Sequence, residues 1–240
     1  MNAYTHSARF YDFLYRGKDY AGETRVLIDL VQAHSRRTPQ TLLDVACGTG
    51  AHLVFLQQHF TCAGLDVEPG LLEVARQKLP QVPLFTGDMR DFDLGQTFDV
   101  LTCLFSAIGY METDVDLRRA LAAMARHVAP GGLLVVEPWF SPGQFVNGHI
   151  HAMLVEEPDL KIARMSVSRV EGRLSILDMH HLVATPDGVE HFSEQHRMGL
   201  FTHEDYLEAV AAAGLESVYN EQGLTGRGLY LGIKPAAPLE

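Results

Sequence analysis

The sequence predicts an α/β fold built on a doubly wound, mostly parallel sheet, and three observations predict it. Apolar runs at 41–46, 61–66, 82–85, 98–104 and 133–137 alternate with helical patterns, the spacing of a parallel sheet with helices on both faces. The first run passes directly into a glycine-rich turn, LLDVACGTG from Leu42 to Gly50. The second ends on a carboxylate, Asp66, in CAGLDVEPG. Strand, glycine turn, helix, strand and carboxylate together form the layout of a nucleotide-binding crossover.

Each element has its own signal. Residues 7–35 read as helical, broken near 17–20, with Val26, Leu27, Leu30 and Val31 on one buried stripe. They form an N-terminal helical cap over 1–40. The strand at 41–46 leads to a helix reaching about residue 60, a strand at 61–66 and a helix over 69–78. Strands at 82–85 and 98–104 follow, then an amphipathic helix over 114–128 and a fifth strand at 133–137. Beyond Glu137 the pattern changes. EPWFSPGQF is rich in turn residues and aromatics, and 149–197 carries period-two runs about a turn at Glu171-Gly172-Arg173, which predicts an antiparallel β insertion after the fifth strand. A helix from about 202 to before Gly214, a strand at 215–219 and a last one in RGLYLGIKP close the chain. The expected organisation is a single domain, 1–240, with its core at 41–146 and 198–235 and the insertion at 147–197.

Bulk properties narrow the function. A chain of 240 residues suits one α/β domain with a small insertion. A net charge of −11 argues against non-specific attraction to nucleic acid. The first residues lack the basic start and apolar run of a signal peptide, and no stretch is long and apolar enough to cross a bilayer. A soluble cytoplasmic protein with no nucleic-acid or membrane partner is therefore expected. Cys47, Cys62 and Cys103 form no C-x-x-C pair and are expected as buried free thiols. The histidines, with His149, His151, His180 and His181 in the insertion, match no metal-ligand motif, so no metal is expected.

The loop itself narrows the ligand. Gly48 and Gly50 can take backbone angles barred to other residues and let a ligand lie against bare chain. Position 53, where a dinucleotide fingerprint needs a third glycine, is Leu53, and no lysine follows Gly50 to build a P-loop. Asp44 stands four positions before Gly48, and a carboxylate there suits a cationic ligand better than a pyrophosphate. S-adenosylmethionine, with its α-amino group and sulfonium, fits that requirement, and Asp66 is placed to accept hydrogen bonds from both ribose hydroxyls.

Taken in order, LLDVACGTG, GLDVEP, GDMRDF, LTCLFSAIGY and APGGLLVVEPWF resemble a class I S-adenosylmethionine-dependent methyltransferase. With the N-terminal YD....GKDY and the closing GRGL, the chain is most similar to the N,N-dimethyltransferases of nucleotide-linked amino sugars in macrolide biosynthesis. The resemblance implies a Rossmann-like methyltransferase fold and S-adenosyl-L-methionine as cofactor, with S-adenosyl-L-homocysteine as product. It implies that Asp44, Ala46, Cys47, Gly48 and Gly50 line the methionine and ribose end, and that Asp66 holds the ribose. It sets Val67 and Met89 against the adenine, Asp88 at the adenine amine, and Leu104 and Phe105 by the methionine portion. Tyr11, Lys18 and Tyr20 become the part of the cap that closes over the cofactor. His52, beside the loop, either touches the cofactor or packs the helix.

On the acceptor side the chain departs from the pattern, with Tyr110 where a histidine is expected and Phe140 where a second tryptophan is expected. Methyl transfer needs a neutral, aligned nucleophile. Tyr110 and Tyr4 are the candidates for orienting an amine, against the plain alternative of packed rings with satisfied hydroxyls. Arg227, in a glycine-flanked turn, can pair with a phosphate or be an ordinary surface arginine. Glu137 and Trp139, just past the fifth strand, are candidate acceptor-pocket residues. The expected activity is methyl transfer to a small-molecule amine, with a nucleotide-linked amino sugar favoured. Another small amine or hydroxyl acceptor, or a non-catalytic cofactor-binding regulator, are the alternatives. The insertion, with its free strand edges, is a candidate homodimer contact.

Overall fold

The computed structural model describes Tyr4 and residues 6–236. Strands β1 (Thr41–Val45), β2 (Thr61–Asp66), β3 (Leu84–Thr86), β4 (Phe98–Cys103) and β5 (Val128–Val136) run parallel. At the far end of the chain, β10 (Glu216–Asn220) and β11 (Leu229–Ile233) add an antiparallel pair, giving the sheet order β10-β11-β5-β4-β1-β2-β3. Strand order reverses between β1 and β4. That is the switch point at which open α/β sheets hold ligands, outside the carboxyl ends of the strands.

Helices cover both faces, and their caps are written locally. Helix α1 (Tyr11–Leu14) follows a short 3-10 turn, and α2 (Tyr20–His34) starts where the Asp19 side chain accepts from Gly22 N. With one-turn α3 (Leu53–Leu56), α2 packs Leu27, Leu30 and Val31 onto Leu42, Val100, Leu133 and Leu231. On the other face, α5 (Asp114–His127) and α6 (His203–Ala212) bury Leu117, Leu121, Tyr206 and Val210 against Leu43, Leu101 and Leu134. Thr113 caps α5, and Thr202 with Asp205 closes a capping box on α6. Helix α4 (Pro69–Lys78) follows β2.

Strands β6 (Ile150–Glu157), β7 (Leu160–Glu171), β8 (Leu174–Thr185) and β9 (Gly188–Gly199) form a separate antiparallel meander. Its inner face buries Val155, Ile162 and Val183 against Phe10 and Leu14 of the N-terminal segment. The insertion thereby holds the cap over the carboxyl edge of the main sheet.

Two expected boundaries move by more than two residues. The helix after the glycine loop is a single α-turn, because the bonds after Leu56 mix i+3 and i+4 partners as the chain tightens toward Thr61. Strand β5 begins at Val128, and the pairing slips between Phe98 and Val100 where the Pro130-Gly131 kink interrupts it.

Candidate active site

The carboxyl ends of β1, β2 and β4 carry the first set of groups. Asp44, next to the last residue of β1, is almost fully buried, with Thr102 of β4 donating to it at 2.7 Å. Burial pushes its carboxyl up to about 6, against the opposing pull of His52 and the Thr102 hydrogen bond. Asp66 accepts from Gly48 N at 2.7 Å and from Glu68 N at 2.8 Å. Each of its oxygens keeps lone-pair capacity for a further donor.

The two loop glycines do different work. Gly48 has φ +56°, and a Cβ there would meet nothing within 4 Å, so bare backbone faces open space. Gly50 has φ +73°, but its Cβ would stand 2.5 Å from Leu79 Cδ1. Gly50 lines neither the cleft nor the side pocket, and close packing against Ala75 of α4 and Leu79 demands a glycine there.

A cleft of about 790 Å³ opens over this edge, within the range of small-molecule sites. Asp66, Val67, Asp88, Met89, Leu104 and Phe105 line one half. A side pocket of about 30 Å³ at the loop is lined by Asp44, Ala46, Cys47, Gly48 and His52, with Tyr11 and Tyr20 above them. Val67 is half exposed at the rim, an apolar face on open display. Asp88 pairs with Arg90 at 2.5 Å, and that hydrogen bond holds its carboxyl below the usual range.

The cap is tied down from several sides. Thr49 Oγ1 donates to Asp12 Oδ1 at 2.6 Å, and Lys78 Nζ pairs with Asp12 Oδ2 at 2.7 Å. His52 Nε2 lies 2.8 Å from Glu23 Oε2, and Lys18 pairs with the same carboxylate. Lys18 lines neither the cleft nor the side pocket. Spent on Glu23, it lies 4.5 Å over the Phe105 ring and fixes that ring instead.

Phe105 and Ser106 both have left-handed backbone, φ 52° and 60°, a strained elbow for residues with a Cβ. Glu137 stabilises it. This residue is fully buried and accepts from Phe105 N at 2.6 Å, Thr225 Oγ1 at 2.8 Å and Arg227 Nη2 at 3.0 Å. Glu137 is therefore absent from the cleft wall. Its negative charge is enclosed by donors and serves Phe105 on one side and Arg227 on the other.

The second half of the cleft is lined by Tyr4, Tyr110, Trp139, His196 and Arg227. Tyr110 Oη lies 2.9 Å from Tyr4 Oη and 2.7 Å from His196 Nδ1. Trp139 Nε1 donates to Ser175 Oγ at 2.9 Å, which fixes its indole plane. Arg227 lines the cleft and stands 5.5 Å over the Phe140 ring, and its buried Nε has no hydrogen-bond partner. Sequence reasoning passed over His196; the signal for it was the alternation in β9 that buries 194, 196 and 198 together.

Residues 42–132 match the methyltransferase-domain family. A Streptomyces venezuelae dTDP-3-amino-3,4,6-trideoxy-alpha-D-glucopyranose N,N-dimethyltransferase is 44% identical over 94% of this chain and 97% of its own. The chain belongs to the nucleotide-linked amino-sugar N,N-dimethyltransferases. It is an S-adenosylmethionine-dependent methyltransferase. The crystal structure of Streptomyces venezuelae DesVI superposes on the enzyme with TM-score 0.89 at 42% identity, over 96% of this chain and 99% of that one. S-adenosylmethionine-bound CalS10, an amino pentose methyltransferase from Micromonospora echinaspora, gives 0.84 at 42% identity, over 98% and 99%. The methyltransferase's buried Asp44 carboxylate, open Gly48 backbone and cleft-facing Asp66 fit that cofactor's cationic methionine end and its ribose.

Proposed function

We propose that this methyltransferase methylates the amine of a nucleotide-linked amino sugar. One observation carries the reading: a single cleft joins the Asp66 end to Arg227, a cation anchored by buried Glu137. Such a group suits a phosphate, which accepts in the plane of a guanidinium. Bound S-adenosylmethionine supplies a methyl on sulfur; the amine lone pair forms the N–C bond, the C–S electrons stay on sulfur, and the new ammonium releases a proton to water.

The chain's own residues bind and align. Asp66 accepts from the ribose hydroxyls, Asp44 faces the α-amino group, and Val67 and Met89 flank the adenine with Asp88 at its amine. Leu104 and Phe105 pack the methionine chain beneath Tyr11 and Tyr20. Arg227 takes a phosphate, Trp139 offers a flat apolar face to the sugar, and Tyr110 with Tyr4 orients the amine. Incubation with S-adenosylmethionine and dTDP-linked amino sugars, read by mass spectrometry, is expected to give N-methylated products. Tight cofactor binding with no transfer to any amine would overturn the reading.

We also propose that the enzyme is a homodimer through the insertion. The register sets Ile150, Leu154, Met165, Val167, Leu182 and Val189 on one exposed face of that sheet, an apolar patch of the kind that a second copy covers. Sedimentation is expected to show a dimer that Met165→Glu converts to monomer.

A further inference from the structure

We propose that His196 is a positioning residue that sets the direction of the hydrogen-bond chain His196–Tyr110–Tyr4, so that Tyr4 meets the acceptor amine as a hydrogen-bond acceptor. This rests on the amino-sugar reading and assigns how its nitrogen is presented. The chain is continuous, 2.7 Å from His196 Nδ1 to Tyr110 Oη and 2.9 Å on to Tyr4 Oη, and all three residues line the cleft.

Its geometry is held from outside. Glu194 Oε1 accepts from His6 N at 2.8 Å and Ser7 N at 3.0 Å, pinning the segment that carries Tyr4. The Tyr4 ring stands edge-on to His196 at 4.9 Å and to Tyr11 at 5.5 Å. The charged and titratable groups around His196 are Glu194 on its own strand, Arg164 on β7 and His181 on β8, with the two phenols opposite. Burial pushes the imidazole down to about 4 and both phenols above their ordinary value. The ring is therefore neutral and each phenol protonated.

A neutral imidazole has one donor nitrogen and one acceptor nitrogen, and a phenol has one proton. Two arrangements follow. With Nδ1 as donor, Tyr110 donates to Tyr4, which leaves the Tyr4 proton free to point into the cleft; the same oxygen separation serves the reverse direction, because hydroxyl protons rotate. With Nδ1 as acceptor, Tyr4 donates to Tyr110, Tyr110 donates to His196, and Tyr4 turns only lone pairs outward. An O–H aimed at an amine occupies the lone pair that must attack the methyl carbon. A phenol oxygen that accepts an N–H leaves that lone pair free. Only the acceptor state of Nδ1 permits reaction, so its choice falls on His196, at the far end of the chain.

Turnover with S-adenosylmethionine and a dTDP-linked amino sugar, with cofactor Kd measured on the same variants, tests this. His196→Leu and Tyr110→Phe each free Tyr4 to donate into the cleft and are expected to lower kcat about tenfold, one misdirected hydrogen bond, with cofactor Kd unchanged. Tyr4→Phe is expected to cost less. Adding Tyr4→Phe to His196→Leu is expected to bring the rate back up to that of Tyr4→Phe alone, because the interfering proton is gone. His196→Asn, whose amide oxygen can accept at the Nδ1 position, is expected to keep most of the rate. Wild-type turnover in His196→Leu, or losses that multiply in the double variant, overturns the assignment alone. No methyl transfer by the wild-type chain overturns the amino-sugar reading together with it.

Discussion

The two halves of the cleft are built in different ways. The cofactor half draws on the carboxyl ends of adjacent parallel strands, and its fixing bonds join sheet neighbours or stay within one turn: Gly48 to Asp66 and Thr102 to Asp44 across strands, Glu68 to Asp66 within the turn after β2. The acceptor half is assembled from segments with no common element. Tyr110 reaches 106 positions back to Tyr4 and 86 forward to His196, while Arg227 leans on Glu137 across 90. A site made from one crossover keeps its geometry wherever the sheet forms. A site made from a cap, a 3-10 turn, an insertion and a glycine loop depends on every one of them docking, and each can vary while the sheet stays the same.

The sharpest way to break the comparison is at Asp66. In Asp66→Asn an NH2 replaces one of two oxygens that accept backbone N–H groups, and the charge that suits the ribose is lost. Cofactor affinity is expected to fall about 100-fold, since charge-assisted hydrogen bonds contribute about 1.5 to 3 kcal/mol each. Calorimetric titration with S-adenosylhomocysteine measures it. Acceptor KM, extrapolated to saturating cofactor, should stay near wild type if the halves are independent.

One residue joins them. Glu137 holds Phe105 for the cofactor and Arg227 for the acceptor, and a glutamine there can satisfy only one side. Glu137→Gln is expected to cost about 2 kcal/mol of stability through a stranded buried donor and to worsen both cofactor Kd and acceptor KM. Arg227→Lys, which keeps the charge and loses the fork, is expected to raise acceptor KM about tenfold and leave cofactor Kd alone. Thermal unfolding with the two binding measurements separates the cases. Equal effects of both substitutions on cofactor affinity would show that Arg227, too, belongs to the cofactor half.

Legibility in the sequence follows the same division. Alternating apolar runs fixed the order of β1 to β5, and the spacing of Asp44, Gly48 and Asp66 identified the cofactor end, because those groups are set by local strand ends. The period-two runs located the meander but not its inner residues. His196 lay hidden because its role depends on Tyr110 and Tyr4, which no local pattern brings to it. Glu137 was read as a wall residue from its place after β5. Only the fold shows Thr225 and Arg227 arriving from the far end of the chain to enclose it. The pairing of Lys18 with Glu23 against the Phe105 ring is equally invisible to a local pattern.

The smallest expected effect lies within the loop. Gly48 and Gly50 both take left-handed backbone, so alanine at either position carries a strain of about 1 kcal/mol. They differ in what the new methyl meets. At Gly48 it enters open space on the cleft side, while at Gly50 it runs into Leu79 of the packed interior. Gly50→Ala is expected to be less stable than Gly48→Ala by about 1 kcal/mol, since the end of the leucine side chain must shift, and to bind cofactor normally once folded. Gly48→Ala is expected to be the milder change in stability and the worse in cofactor Kd, because the methyl stands where the ligand approaches bare chain. Denaturant midpoints and calorimetry on the two variants read both quantities. If Gly50→Ala loses affinity without losing stability, the division of labour between the two glycines is wrong, and the whole turn belongs to the cofactor.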